Sequence, residues 1–155
     1  RDRRPSRGLG DVYKRQELSL PGSLEKLTVD RCPGLGDVNI SKCPNLASLS
    51  WNQCPSISFT GYTGLRDLKN LDISNHDFKH DFKLFVPIAH MPNLQTVSFA
   101  KCVLRYPIDW LLTLKEIRIA VFNKCGSVYS EDPERLLKLP IVSLAGGTRI
   151  LRQDT

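Results

Sequence analysis

Long apolar runs are missing from this sequence. No stretch reaches the roughly 18 consecutive apolar residues that a membrane helix needs, and no apolar core of a secretory signal is visible. We therefore expect no membrane span. The five cysteines are an odd number, and most of them recur at one position of a repeated pattern. This distribution favours reduced structural thiols and a cytoplasmic location over a framework of disulfides.

Catalytic motifs are also missing. The only histidines are His76, His80 and His90, and no known motif ties a serine or cysteine to them. Phosphate-binding loops of the Walker or Gly-x-Gly-x-x-Gly type are absent as well. We therefore expect neither an enzyme nor a small-molecule cofactor.

One histidine pair has the spacing of a zinc site. His76 and His80 are four residues apart and would share a face if the segment were helical. No third ligand is assured, and the segment spans a predicted strand-to-helix loop. The alternative is a polar loop that Phe78 and Phe82 hold against the core. We expect this loop, with no metal.

Positive charge is concentrated at one end. The net charge is +6, and residues 1–16 hold six Lys/Arg and two Asp/Glu, a net of +4. The remainder has 22 − 6 = 16 basic and 16 − 2 = 14 acidic residues.

Residues 6–16 look like translated library-adaptor sequence, so residues 1–16 are left out of the fold prediction and the chain would be part of a longer protein. The alternative is a genuine basic tail that touches RNA or membrane. The rest of the chain has no basic stripe with interleaved aromatics, so a nucleic-acid partner is not expected.

The sequence does contain a repeated apolar pattern, L-x-x-L-x-L-x-x-C. Its alternating centre predicts a half-buried strand, and stacked copies would share one core. The copies start 22, 22, 26, 20 and 25 residues apart, by subtraction of their first positions. They predict a repeat solenoid over residues 17–147, with 148–155 as a tail or the start of a truncated further repeat. The six copies are Leu24/Leu27/Val29/Cys32, Leu46/Leu49/Trp51/Cys54, Leu68/Leu71/Ile73/His76, Leu94/Val97/Phe99/Cys102, Leu114/Ile117/Ile119/Phe122 and Leu139/Val142/Leu144/Gly147.

On these copies the chain resembles the leucine-rich-repeat family. The resemblance implies an α/β repeat solenoid, a curved coil with a parallel concave sheet and short strands or helices on the convex side. It also implies that the last position of each copy, Asn or Cys in this family, bonds exposed backbone in a bend. Cys32, Cys43, Cys54 and Cys102 occupy this position, and Cys125 is assigned to a connector.

Three kinds of leucine-rich-repeat protein are similar to parts of the chain. Residues 24–33 and 40–50 resemble the irregular Cys-Pro repeats of plant-type intracellular immune receptors and the cysteine-containing repeats of F-box substrate receptors of ubiquitin ligases. Bacterial surface or secreted adhesion-type solenoids with half-coils of 10 or 11 residues also match the first part. All three imply protein–protein interaction, with another protein or peptide as partner, here as part of a larger intracellular receptor or scaffold.

Shorter signals predict what connects the strands. An 11-residue rhythm predicts short strands at 37–41 and 58–60 on the convex side. A helix capped by Asp81, with Phe82, Phe85 and Ile88 or Ala89 inward, would fill the 26-residue coil. A tight crossover is expected at 106–111. Asp132 would cap a last helix, Pro133 to Leu137.

Side chains that flank the buried positions should face outward on the concave sheet, because strand side chains alternate. In the fifth copy this assigns Glu116, Arg118 and Ala120 outward, whereas Trp51 is assigned to the core. Cys32 and Cys54 would stack one coil apart, as reduced bend residues rather than as a disulfide. The predicted binding residues are Lys26, Thr28, Asp30, Ser50, Asn52, Asn70, Asp72, Ser98, Glu116 and Arg118.

Overall fold

The computed structural model of the protein describes residues 20–153 except 34, 36, 37, 41, 55–58, 61–64 and 79–87. Several predictions fall outside these residues. They concern the adaptor-like segment 1–16, the second histidine of the zinc pair, His80, and the body of the helix capped by Asp81.

Six parallel strands form the main sheet, and the chain passes through about five turns of a solenoid between the first and the last. Their order in space is their order along the chain, β1-β3-β5-β6-β7-β9. The strands are β1 (Lys26–Asp30), β3 (Ser48–Asn52), β5 (Asn70–Ser74), β6 (Thr96–Ala100), β7 (Ile119–Asn123) and β9 (Ile141–Ala145). The prediction of a repeat solenoid with a parallel sheet is confirmed.

Alternation along each strand places two residues per coil in one continuous core. The register of the sheet places the inward residues of one coil directly beside those of the next coil. Trp51 is fully buried among them, as the sequence predicts. The inward Leu144 is 38% exposed, because β9 is the last strand of the sheet in the described part of the chain. The inward pairs are Leu27/Val29, Leu49/Trp51, Leu71/Ile73, Val97/Phe99, Ala120/Phe122 and Val142/Leu144.

The prediction for the fifth copy is wrong by three residues. Ala120 and Phe122 point inward and are fully buried, whereas Ile119 faces outward. The copy is therefore Ile117/Ala120/Phe122/Cys125, and the strands start 22, 22, 26, 23 and 22 residues apart by subtraction. The other five strand positions are confirmed.

Each of the first five strands of the main sheet is followed by a residue with left-handed backbone. These residues have φ of 49–55°, and each donates its N–H to the last strand carbonyl of the next coil at 2.8–3.1 Å. The bond holds neighbouring coils in register where the chain leaves the sheet. Left-handed backbone costs an L residue roughly 1–2 kcal/mol, so the bends are strained. The five residues are Arg31, Gln53, Asn75, Lys101 and Lys124, and Gly146 follows β9 with φ of 62°.

Replacing Lys101, whose φ is 53°, by glycine should therefore stabilise the protein. We expect Lys101→Gly to raise the free energy of unfolding by about 0.5–1 kcal/mol, since the strain relieved exceeds the entropy that glycine adds to the unfolded chain. Urea titration followed by circular dichroism measures this. Lys115→Gly is the matched control, because Lys115 is exposed and has negative φ. Lys115→Gly should lose stability. Equal losses of stability in both variants would contradict backbone strain at Lys101.

Cysteine side chains close four of the bends, whereas Cys43, which the resemblance assigns to the same position, donates to the Pro21 carbonyl at 3.5 Å. The Sγ–H of Cys32, Cys54, Cys102 and Cys125 donates to the carbonyl two residues earlier, at 3.3–3.5 Å. Cys125 is thus a bend residue, and its assignment to a connector is wrong. In the last coil Thr148 replaces the thiol, since its hydroxyl donates to the Ala145 carbonyl at 2.8 Å. All five cysteines are free thiols.

The opposite halves of the coils carry short elements. β2 (Val38–Asn39) and β4 (Phe59–Thr60) pair in parallel, which confirms the predicted half-coil strands. Beyond them lie a 3₁₀-helix, Asp109–Thr113, and β8 (Ser127–Ser130), which pairs in parallel with β10 (Arg149–Arg152).

Helix is scarce in the described residues. Helix α1, Pro133–Leu136, begins at the predicted cap, where Asp132 accepts a hydrogen bond from the Arg135 N–H at 3.0 Å. Pro133–Leu136 is the only α-helix that lies wholly within the described residues, and Ile88 is the other α-helical position among them. The described part is therefore a parallel β-solenoid with almost no helix, and the predicted α/β class is not supported. No helix within the described ranges has the length and hydropathy to cross a bilayer.

Candidate recognition surface

The outward side of the main sheet presents three straight rows of side chains. Neighbours in one row belong to adjacent strands and lie about 4.8 Å apart, the spacing of paired strands. The rows are Lys26/Ser48/Asn70/Thr96/Ile119/Ile141, Thr28/Ser50/Asp72/Ser98/Val121/Ser143 and Asp30/Asn52/Ser74/Ala100/Asn123/Ala145. We call these 18 positions the outer face.

Hydrogen bonds between side chains order the polar half of the outer face. Asn52 Nδ2 donates to Asp30 Oδ1 at 2.5 Å, and Asn75 Nδ2 donates to Asn52 Oδ1 at 2.6 Å. The other carboxylate oxygen of Asp30 accepts from Arg31 Nε at 3.1 Å. In the middle row Ser50 Oγ donates to Asp72 Oδ2 at 3.2 Å. These side chains are held in place before any ligand arrives, which lowers the entropy cost of binding.

The other half of the outer face contains an apolar corner made of Ile119, Val121 and Ile141. Ile119 and Ile141 are partners in one row, and Val121 lies beside them in the next. Ile141 is 52% exposed, and the other two are half-buried. Because the remaining outward rows are mostly polar, the corner is the part of the face where an apolar ligand group would gain most from burial.

Eight of the ten predicted binding residues lie on the outer face. Lys26 and Asn70 are in the first row, Thr28, Ser50, Asp72 and Ser98 in the second, and Asp30 and Asn52 in the third. Their role in binding stays a prediction.

Glu116 and Arg118 are not part of the face, which corrects their assignment. They precede β7, where the Arg118 N–H donates to the Gln95 carbonyl at 2.8 Å. Ile119 and Val121 were missed because of the same register error. The dipeptide Lys124-Cys125 could have revealed it, since it repeats Lys101-Cys102 at a bend.

His76 takes the place of a bend cysteine. Its side chain is buried, and its ring meets that of Phe78 edge-on with centroids 4.5 Å apart. Among the described residues, which leave out His80, no cluster of three His, Cys, Asp or Glu side chains has the arrangement of a metal site.

Burial suppresses the acidity of three bend thiols. Burial raises the pKa of Cys54 and Cys125 above the ordinary value, and it raises the pKa of Cys102 to about 12. Hydrogen bonds from nearby backbone offset part of this rise. The three groups are therefore neutral thiols near pH 7, which fits a structural role and makes them poor nucleophiles.

A scan against known protein families found no match to this chain, and a search of curated proteins found no significant relative.

Proposed function

We propose that the outer face recognises a segment of another protein, and that the chain is a module of the leucine-rich-repeat type. The observation that carries this proposal is the apolar corner, which includes an isoleucine that is 52% exposed, at the edge of an ordered polar surface. Interfaces commonly combine a few apolar anchors with a surrounding polar rim.

The charges of the outer face indicate what the segment carries. Lys26, Asp30 and Asp72 are its only charged positions, and Asp30 is already paired with Arg31. Asp72 lies two strands from Val121 in the same row, a distance of about 10 Å. A fitting segment therefore has an aliphatic or aromatic side chain for the corner and a hydrogen-bond donor or basic group about 10 Å away for Asp72.

Two features support the repeat type and the compartment. Coil lengths of 22–26 residues and bends closed by cysteine thiols are those that the leucine-rich-repeat resemblance implies. Five free thiols, four of them buried at or near bends, are compatible with a reducing intracellular compartment. In this proposal the module is cytoplasmic and part of a larger receptor or scaffold.

The proposed surface can be tested with a single exposed side chain. Peptides are selected from a random displayed library against the wild-type chain, and their affinities are measured by biolayer interferometry. We expect Ile141→Lys to weaken them by about tenfold or more, because the substitution removes an anchor and places a solvated charge in the corner.

Val103→Lys is the matched control. Val103 is also an exposed β-branched residue, at 43% compared with 52% for Ile141, but it lies outside the main sheet. Affinity for Val103→Lys should stay within about twofold of wild type, as for a contact outside the interface. Selected peptides that bind Ile141→Lys as tightly as wild type would refute the role of the outer face.

A further inference from the structure

The second sheet, β8 with β10, borders an open cavity of about 480 Å³ that lies away from the rows of the outer face. Its described lining consists of Arg105, Tyr129, Arg152 and Gln153. The four residues carry two guanidinium groups, a phenol and an amide, and none of the four is acidic. We propose that this cavity binds a phosphate monoester.

Three successive coils bring the lining residues together. The Ile108 N–H donates to the Tyr129 carbonyl at 2.9 Å, which ties the segment that follows Arg105 to β8. On the other side of β8, Arg152 is aligned with Ser130, and the Gln153 N–H donates to the Ser130 carbonyl at 3.0 Å. The cavity is thus held by backbone hydrogen bonds on both sides of β8, and its side chains start from positions that these bonds define.

The two arginines keep most of their donors available within the described structure. Arg105 Nε lies 4.0 Å from Asp77 Oδ1, and Arg152 Nη2 lies 3.9 Å from Glu134 Oε1. Both contacts are at the outer limit of an ion pair, and all four side chains are more than half exposed. Exposed pairs of this kind are weak, so a more highly charged anion can displace them.

The number and type of donors favour phosphate over carboxylate. A phosphate monoester carries a charge of roughly −1.5 to −2 near neutral pH and has three terminal acceptor oxygens. Guanidinium groups bind such oxygens in pairs, and the Tyr129 hydroxyl and Gln153 amide can donate to the remainder. The cavity is larger than a phosphate group, so there is room for the organic part of the ester beside Tyr129.

The test uses the whole chain and four defined probes, inorganic phosphate, phenyl phosphate, glycerol phosphate and benzoate, by isothermal titration calorimetry at about 0.15 M ionic strength, where charges are screened over roughly 8 Å. We expect saturable binding of the three phosphates, with Arg105→Gln and Arg152→Gln each weakening it by about tenfold or more. Arg149→Gln is the matched control, since Arg149 is an exposed residue of the same strand as Arg152 but does not line the cavity. The affinity of Arg149→Gln for the phosphate probes should stay within about twofold of wild type, because at this ionic strength an exposed charge outside the cavity is largely screened by salt.

The organic probes distinguish two sources of the phosphate. Tighter binding of phenyl phosphate supports the site and indicates an aryl ester such as a phosphorylated tyrosine side chain. Equal or tighter binding of glycerol phosphate supports the site and indicates an alkyl ester.

Three results would each overturn the proposal: no saturable binding of any phosphate probe, benzoate binding as tightly as phenyl phosphate, or an equal loss in Arg149→Gln. The site does not depend on the outer face, so Ile141→Lys should bind the phosphate probes as wild type does.

Discussion

Truncation of Phe99 to alanine should cost about 3–5 kcal/mol of the free energy of unfolding, the range for removing a buried aromatic ring. Phe99 is fully buried at the centre of the aromatic core. Its ring stacks on Phe122 of the next coil at 5.7 Å between centroids, and it meets Phe78 and Trp110 edge-on at 5.9 and 6.3 Å. The variant therefore removes contacts within its own coil and with the coils on both sides.

Urea denaturation followed by circular dichroism measures the loss from Phe99→Ala. Thr96→Ala is the control, because Thr96 lies on the same strand but faces outward, and its change should be within about 0.5 kcal/mol. If Phe99→Ala does not fold, Phe99→Leu retains most of the volume and should still lose about 1 kcal/mol or more. A loss below that value in both variants would contradict a core shared between coils.

The stability of the protein should fall steeply above pH 9 because of Cys102. Burial raises the pKa of this thiol from 9.0 to about 12 in the folded chain. Between these two values the folded state keeps the proton that the unfolded state loses, so the free energy of unfolding decreases as pH rises. The stabilisation that this difference in pKa gives the folded state is fully present below pH 9. Because of it, the free energy of unfolding should be lower by about 3 kcal/mol at pH 11 and by roughly 4 kcal/mol once pH exceeds 12.

Cys102→Ala tests this assignment. The variant loses the hydrogen bond of the Cys102 thiol, whose single S–H is shared between the carbonyls of Ile73 and Ala100 at 3.3 and 3.4 Å, so it should be less stable than wild type at pH 8. Its stability should nevertheless decline less between pH 8 and pH 11, and the two chains should converge. Urea titrations at each pH measure both. Parallel pH profiles would show that other titrating groups, not Cys102, cause the alkaline loss.

The sequence alone determined the solenoid and most of its register. Alternating apolar residues can be buried on one side of a strand in only one way, so five of six strands lie where the pattern predicts. Three of the four bend cysteines, Cys32, Cys54 and Cys102, and the Asp132 cap were also predictable, because each side chain bonds backbone groups within a few residues. From this register, eight of the ten predicted binding residues could be placed on the outer face.

Tertiary structure alone decided the fifth coil and the two candidate sites. Leu114, Ile117, Ile119 and Phe122 fit the repeat pattern by residue type. The observed register lies three residues later, because there Phe122 stacks on Phe99 and Cys125 closes the bend. That shift turns Ile119 outward and creates the apolar corner. The anion cavity combines side chains from three coils, and no local pattern links Arg105 to Arg152. Local alternation specifies which residues of a strand are buried, but only the packing of one coil on the next selects between registers and brings distant side chains together.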